Sequence, residues 1–174
     1  QLFGWRGPLV GVAAAGAATL GVIALRLPET LGAKNLQATQ WRRLLPTWAA
    51  IARHPVFRAW ALLVACTYGG LFTVLASSSF VFMDLLHLPA AGYGAVMAVG
   101  SVSYIGGTLV CRRWIARHRL AHTVRRGGWF TLAAGLLAAL PAAAGVVHVG
   151  TVLLPYVVFA FGHGINQPCG QAGV

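Results

Sequence analysis

Five uncharged apolar runs alternate with polar connections along the chain, at residues 8–25, 59–83, 88–111, 127–147 and 151–174. Each run is at least 18 residues long, and a helix rising about 1.5 Å per residue needs roughly 17–25 residues to cross a hydrocarbon core. None shows the strict two-residue alternation of a barrel strand. A segment in lipid must satisfy its own backbone, and a helix does so unaided. The pattern therefore predicts an all-α membrane protein with five transmembrane helices. Pro8, Pro28, Pro55, Pro89 and Pro141 fall at or near the ends of the runs, where a missing backbone donor is tolerated.

Charge then orients these elements. The successive connections carry six, zero, six and zero Lys plus Arg, an alternation that places residues 27–58 and 112–126 on the cytoplasmic side. An arginine at the centre of a spanning helix costs about 2.5–3.5 kcal/mol, so the stretch holding Arg112, Arg113, Arg117, Arg119, Arg125 and Arg126 is expected to be a loop in water. Within 27–58, Trp41, Leu44, Leu45, Trp48 and Ile51 recur at helical spacing beside arginines. That predicts an amphipathic helix lying in the headgroup region, broken or kinked at Pro46. In the first run Gly7, Gly11 and Ala15 fall four apart, as do Ala13, Ala17 and Gly21, the small-residue spacing that lets another helix come close.

Composition narrows the classes. The chain is 58% hydrophobic and 9% charged, against about 25% charged in soluble domains, which excludes a soluble fold. Its net charge of +11 comes from thirteen Lys and Arg against Glu29 and Asp84. Apart from Arg6 the basic residues sit in two connections and form no stripe with interleaved aromatics, so the implied partner is the lipid bilayer and not nucleic acid. The chain opens on Gln1 without a methionine and stops at Val174 inside an apolar run, so it reads as an internal piece of a longer protein.

The most unusual chemistry lies in the fifth run, where Phe161-Gly162-His163-Gly164-Ile165-Asn166-Gln167-Pro168-Cys169-Gly170-Gln171 puts a histidine and amides near the bilayer middle. Polar groups at that depth face a bundle interior or a water-filled cavity. His163, Asn166 and Gln167 are candidate solute contacts, with Gly162, Gly164, Pro168 and Gly170 as packing or gating positions; inter-helix hydrogen bonding is the alternative role. Pro168 frees a carbonyl one turn back, near Gly164. In the second run, Tyr68, Phe72 and Ser77 suit an amphiphilic ligand in a largely apolar pocket. The cysteines Cys66, Cys111 and Cys169 have no ligand-type spacing and read as free thiols. His118 and His122 stand four apart, the spacing of two ligands on one helix face. They have no third ligand and arginines surround them, so no metal and no cofactor is expected. The two acids lie on opposite sides and form no catalytic pair, and no glycine-rich nucleotide loop occurs, so the chain is not read as an enzyme.

Three stretches resemble one family. Gly4-Trp5-Arg6 with Leu27-Pro28-Glu29-Thr30-Leu31 is similar to the flanks of the sixth helix of major facilitator superfamily drug:proton antiporters. Gly70-Leu71-Phe72 with Ala76-Ser77-Ser78-Ser79-Phe80-Val81 resembles the seventh helix in the bicyclomycin/chloramphenicol-resistance (Bcr/CflA) branch, and residues 161–173 resemble its tenth. The resemblance implies helices six to ten of twelve. Residues 1–26 would end the N-terminal six-helix half, 27–58 would join the halves, and 59–174 would begin the C-terminal half, with the rest of both halves outside this chain. Gly107, Arg112, Arg113 and Arg117 would correspond to the second copy of the Gly-x-x-x-Asp-Arg-x-Gly-Arg loop, here without its aspartate and with altered glycine spacing. Further implications are alternating access, export of a small drug-like molecule against inward protons, and a bacterial inner membrane location. Tyr68, Phe72, His163, Asn166 and Gln167 would then face the site. A facilitator of the same fold moving sugars or metabolites is the nearer alternative, and a membrane-embedded enzyme or scaffold the further one.

Overall fold

The computed structural model describes residues 6–28 and 40–173, and every regular element among them is helical. Gly4, Trp5, Glu29, Thr30, Leu31, Lys34 and Val174 lie outside the described residues. The helices are α1 (Arg6–Arg26), α2 (Trp41–Arg53), α3 (Pro55–Ser79) with a π-helical continuation Phe80–Leu85, α4 (Ala90–Arg117), α5 (Leu120–Ala143) and α6 (Val149–Gly173). Four are long and apolar enough to cross a membrane: α1, α3 with its continuation, α4 and α6. The run expected at 127–147 lies in α5, which is not among the four; Arg125 and Arg126 occupy its second turn and Pro141 lies inside it. The chain is an all-helical membrane protein.

Two compact units divide it, Gln1–Thr47 and Trp48–Val174. In the first, α1 has no buried residue, and a methyl group added at Gly11, Gly16 or Gly21 would meet nothing within 4 Å. The helix expected from Trp41, Leu45, Trp48 and Ile51 forms as α2. It runs through Pro46 unbroken, because the proline is only five residues from the helix start and forfeits a single bond.

In the second unit the helix ends depart from the charge boundaries. The residues expected as a loop at 112–126 are mostly helical, since α4 continues to Arg117 and α5 starts at Leu120. Arginine is a good helix former and a basic last turn suits the helix dipole, so charge ends the hydrocarbon without ending the helix. A 28-residue α4 is about 42 Å long against a core of roughly 30 Å, so its last turns carry Arg112, Arg113 and Arg117 beyond the hydrocarbon. Arg126 of α5 then stacks over the Trp114 ring of α4 at 5.2 Å. His118 caps α4 while His122 is in α5, so the two histidines do not share a helix face.

At its other end α5 stops at Ala143 and not at 147. Gly145 takes φ +70°, its N–H bonds the Ala142 carbonyl at 3.1 Å, and the Val146 N–H reaches back to the Pro141 carbonyl at 2.9 Å. These paired bonds close the helix in a left-handed cap that glycine adopts at no steric cost.

The organising element is α6, against which α3, α4 and α5 all pack. Its small residues allow this. A Cβ at Gly164 would collide with the Tyr104 carbonyl of α4, and one at Gly107 of α4 with the Phe161 carbonyl of α6. On the other side, Gly127 of α5 leaves room for the Asn166 side chain, and Gly162 lies against Phe130 and Thr131. Apolar side chains gain little from one another in lipid, so close backbone approach of this kind is what holds spanning helices together. Cys111, Ile165 and Cys169 form the buried centre, with the two sulfurs 3.4 Å apart as free thiols; Cys66 is exposed.

Candidate functional site

Along α6, Tyr156, Phe159, His163, Gln167 and Gln171 follow one another at intervals of three and four residues, which places them on one face. That face meets α3 and α4 around His163, which is 3% exposed. Three rings surround the imidazole: Tyr104 at 5.7 Å, Phe159 stacked at 5.9 Å, and Tyr68 edge-on at 5.9 Å. Gly70 of α3 makes room for the Phe159 ring and Gly100 of α4 for Tyr156.

One turn further along, Gln167 ties the two tyrosines together. The Tyr104 hydroxyl donates to Gln167 Oε1, and Gln167 Nε2 donates to the Tyr68 hydroxyl oxygen at 2.9 Å. Gln171 Nε2 donates to the same oxygen at 3.0 Å. With both lone pairs of Tyr68 engaged, its own O–H is left to donate. His163 Nδ1, buried among the rings, has no hydrogen-bond partner. Tyr104, His163 and Gln167 border a cavity of about 440 Å³ between α3, α4 and α6, whose walls also include Leu71, Ser101 and Phe159; Tyr68 and Gln171 stand behind Gln167 and are not part of its wall. Among the described residues no acidic side chain, lysine or arginine borders it, and such a lining suits an uncharged molecule with apolar bulk and a few hydrogen-bonding groups.

The structure thus brings together Tyr68, His163 and Gln167. Phe72 makes a tilted contact with the Tyr68 ring at 6.5 Å but is 64% exposed and does not line this cavity. Ser77 donates to the Thr73 carbonyl at 2.8 Å and borders a second cavity on the far side of Phe159. Asn166 turns toward α5, where its Nδ2 donates to Thr131 Oγ1 at 3.3 Å and its Oδ1 is buried without a partner. Pro168 lies inside α6, which continues through it. The carbonyl it frees at Gly164 accepts from Thr108 Oγ1 of α4 at 3.3 Å, so the lost intrahelical bond becomes an inter-helix one. Gly162 and Gly164 serve the helix crossings, and Gly170 faces Val64 of α3.

Tyr104, Tyr156 and Phe159 were not expected from the sequence. For the last two a signal existed, the continuation of the His163–Gln167 face toward the start of α6. Tyr104 is one aromatic residue in an apolar run and carries no such mark.

The position of Asn166 carries a prediction. Asn166→Ala removes one inter-helix bond, worth roughly 0.6–2 kcal/mol in a membrane, together with a buried unpaired oxygen that had been destabilising. Thermal unfolding in detergent is expected to show a small change, and ligand affinity at the Gln167 cavity none. A large affinity loss at unchanged stability would put Asn166 in the site.

Among protein families, the profile described as Major Facilitator Superfamily matches residues 1–174. No curated protein and no solved structure matches the chain.

Proposed function

The chain belongs to the major facilitator superfamily, and from that premise we propose that it forms helices six to ten of a twelve-helix drug:proton antiporter resembling the Bcr/CflA branch. Membership itself indicates a membrane transporter and not an enzyme. In this reading residues 1–26 close the N-terminal half, 27–58 join the halves on the cytoplasmic side, and 59–174 begin the C-terminal half in a bacterial inner membrane. The other helices of the longer protein supply the opposite wall of the site and the group that couples to protons.

The observation that carries the proposal is the Tyr68–Gln167–Tyr104 hydrogen-bond chain around His163, beside an uncharged cavity. Sites of this kind hold a solute by a few placed polar groups among apolar walls. Rocking of the two halves would expose it to either side in turn. Gln167 and the His163 ring would meet the polar groups of the substrate, with Tyr68 holding Gln167 from behind, and Leu71, Phe159 and Tyr104 would meet its apolar part. Residues 112–126, with Arg112, Arg113 and Arg117, would face the cytoplasm.

Proteoliposomes holding the complete transporter test this with radiolabelled chloramphenicol, an uncharged amphiphile. An acid-inside gradient is expected to drive accumulation, and a protonophore to abolish it. Equilibration without accumulation, whatever the gradient, would leave a facilitator; no movement of chloramphenicol by correctly inserted protein would remove the drug assignment.

A further inference from the structure

Cys111 of α4 and Cys169 of α6 are two thiols that the candidate site does not use. Their sulfurs stand 3.4 Å apart, one thiol donating a weak S–H bond to the other, at 1% and 0% exposure. Backbone sets the crossing that brings them together. The two helices run in the same direction, since the contacts Ser103–Val157, Thr108–Gly164 and Cys111–Cys169 advance together along both. Gly107, one turn before Cys111, and Gly164, five residues before Cys169, bring each helix against the other's carbonyls with no room for a Cβ. In the turn that follows, cysteine fills the gap with one atom beyond Cβ, and the sulfurs meet. This contact lies wholly between described helices and does not depend on what covers their outer faces.

The surroundings limit what the pair can do. Ile165 completes the cluster, and Trp114, Val124, Phe130 and Phe161 pack against it. Among the described residues no third His, Cys, Asp or Glu joins the thiols to hold a metal ion, and thiolates within such walls would be buried charge. A disulfide carries no charge. It needs sulfurs about 2.05 Å apart, a closure from 3.4 Å that small rotations about the two Cα–Cβ bonds share.

We propose that Cys111 and Cys169 are a redox pair, which a hydroperoxide converts into a disulfide tying α4 to α6. One sulfur attacks the peroxide: an S–O bond forms, the O–O bond breaks, and the second peroxide oxygen leaves with the thiol proton as an alcohol. Sulfur gives up two electrons and the peroxide takes them. The neighbouring thiol then attacks the sulfenic sulfur, so that the S–S bond forms, the S–O bond breaks, and hydroxyl leaves with the second proton as water. Two thiols and one hydroperoxide give one disulfide, one alcohol and one water, all neutral. Because both sulfurs are covered, the first step follows a local opening of the α4–α6 contact, and the pair reacts more slowly than exposed Cys66. Tyr104 lies seven residues before Cys111 and Gln167 two before Cys169, so the cross-link fixes α4 against α6 beside the Tyr104–Gln167 bond. The proposal goes beyond transport and does not depend on it.

Its test treats the complete transporter in nanodiscs with tert-butyl hydroperoxide, blocks the remaining thiols in denaturant, and maps cysteine peptides by mass spectrometry. The expected product is a pair of peptides joined through Cys111 and Cys169 that dithiothreitol separates. The oxidised protein is expected to unfold several degrees higher, and dithiothreitol to reverse the shift. Recovery of both residues as free thiols after Cys66 is fully oxidised overturns the proposal. Sulfinic acid at either position without a cross-link, linkage of either to another cysteine, or a joined pair that leaves the midpoint where it was also overturns it. These comparisons need no variant. Cys111→Ala is expected to abolish both the joined peptides and the midpoint rise, and a rise that persists in the folded variant counts against the pair as its source. Because oxidation involves no substrate and no gradient, failure of the efflux assay and failure of this experiment are separate results.

Discussion

Alanine at Gly107 or Gly164 is expected to separate α4 from α6 and to produce the largest loss of stability of any methyl added to this fold. A Cβ at Gly107 would fall on the carbonyl oxygen of Phe161, and one at Gly164 on that of Tyr104. In each case the obstacle is backbone, which cannot rotate away as a side chain does. Inserting atoms into a well-packed contact typically costs about 1–3 kcal/mol, occasionally more. Here a shift of the helices would also stretch the Thr108 bond to the Gly164 carbonyl and the Ser103 bond to the Val157 carbonyl, the latter 2.8 Å long. At Gly69 and Gly128 an added Cβ meets nothing within 4 Å. There the same substitution removes only glycine's backbone freedom and is expected to be neutral or to stabilise by up to about 1 kcal/mol. Thermal unfolding of the four single variants in detergent checks the contrast. Equal midpoints for Gly107→Ala and Gly128→Ala would mean that α4 and α6 do not cross as described.

That contrast marks what the sequence can and cannot convey. The apolar runs were legible because a hydrocarbon core demands length and freedom from charge: all five runs became helical, and four of the helices, α1, α3 with its continuation, α4 and α6, are long and apolar enough to cross a membrane. Helix ends were less legible. The expected loop at 112–126 rested on arginine, which reports where lipid ends, whereas α4 winds on to Arg117. The cap at Gly145 depends on a backbone angle and two bonds, and it stopped α5 four residues before the apolar run itself ended.

The candidate site was legible in part for a similar reason. His163, Asn166 and Gln167 are conspicuous because polar side chains are costly in hydrocarbon. Which neighbour each one meets is settled by rotation about α6: about 100° per residue sends Gln167 toward the tyrosines and Asn166 toward Thr131. Gly107 gave no warning that it faces a carbonyl, because nothing near it in sequence records the approach of α6. Small residues alone mark no crossing. The same spacing in α1 leaves Gly11 and Gly21 with nothing among the described residues within 4 Å of an added Cβ.

Replacing Gln167 by leucine is expected to cause the largest loss of binding, and the reason lies in its two ends. Its oxygen accepts from Tyr104 on α4 and its nitrogen donates to Tyr68 on α3, so one side chain of α6 fixes a ring on each neighbouring helix. Leucine keeps the bulk and removes both bonds. Tyr68 retains the donation from Gln171, but the Tyr104 hydroxyl loses the partner it has here. Both rings contact His163, so loosening them disturbs the groups proposed to meet the substrate. In equilibrium dialysis of the complete transporter with radiolabelled chloramphenicol, Gln167→Leu is expected to weaken binding about tenfold, which corresponds to about 1.4 kcal/mol. Gln171→Leu, which leaves the Tyr68–Gln167–Tyr104 chain in place, is expected to have a smaller effect. A double-mutant cycle decides whether the chain acts as a unit. Tyr104→Phe added to Gln167→Leu should cost little more than Gln167→Leu alone, because the bond between them is already gone, and the coupling should fall within about 0.5–3 kcal/mol. Strictly additive losses would show that Tyr104 and Gln167 contribute separately, and the hydrogen-bond chain would then lose its role in holding the site.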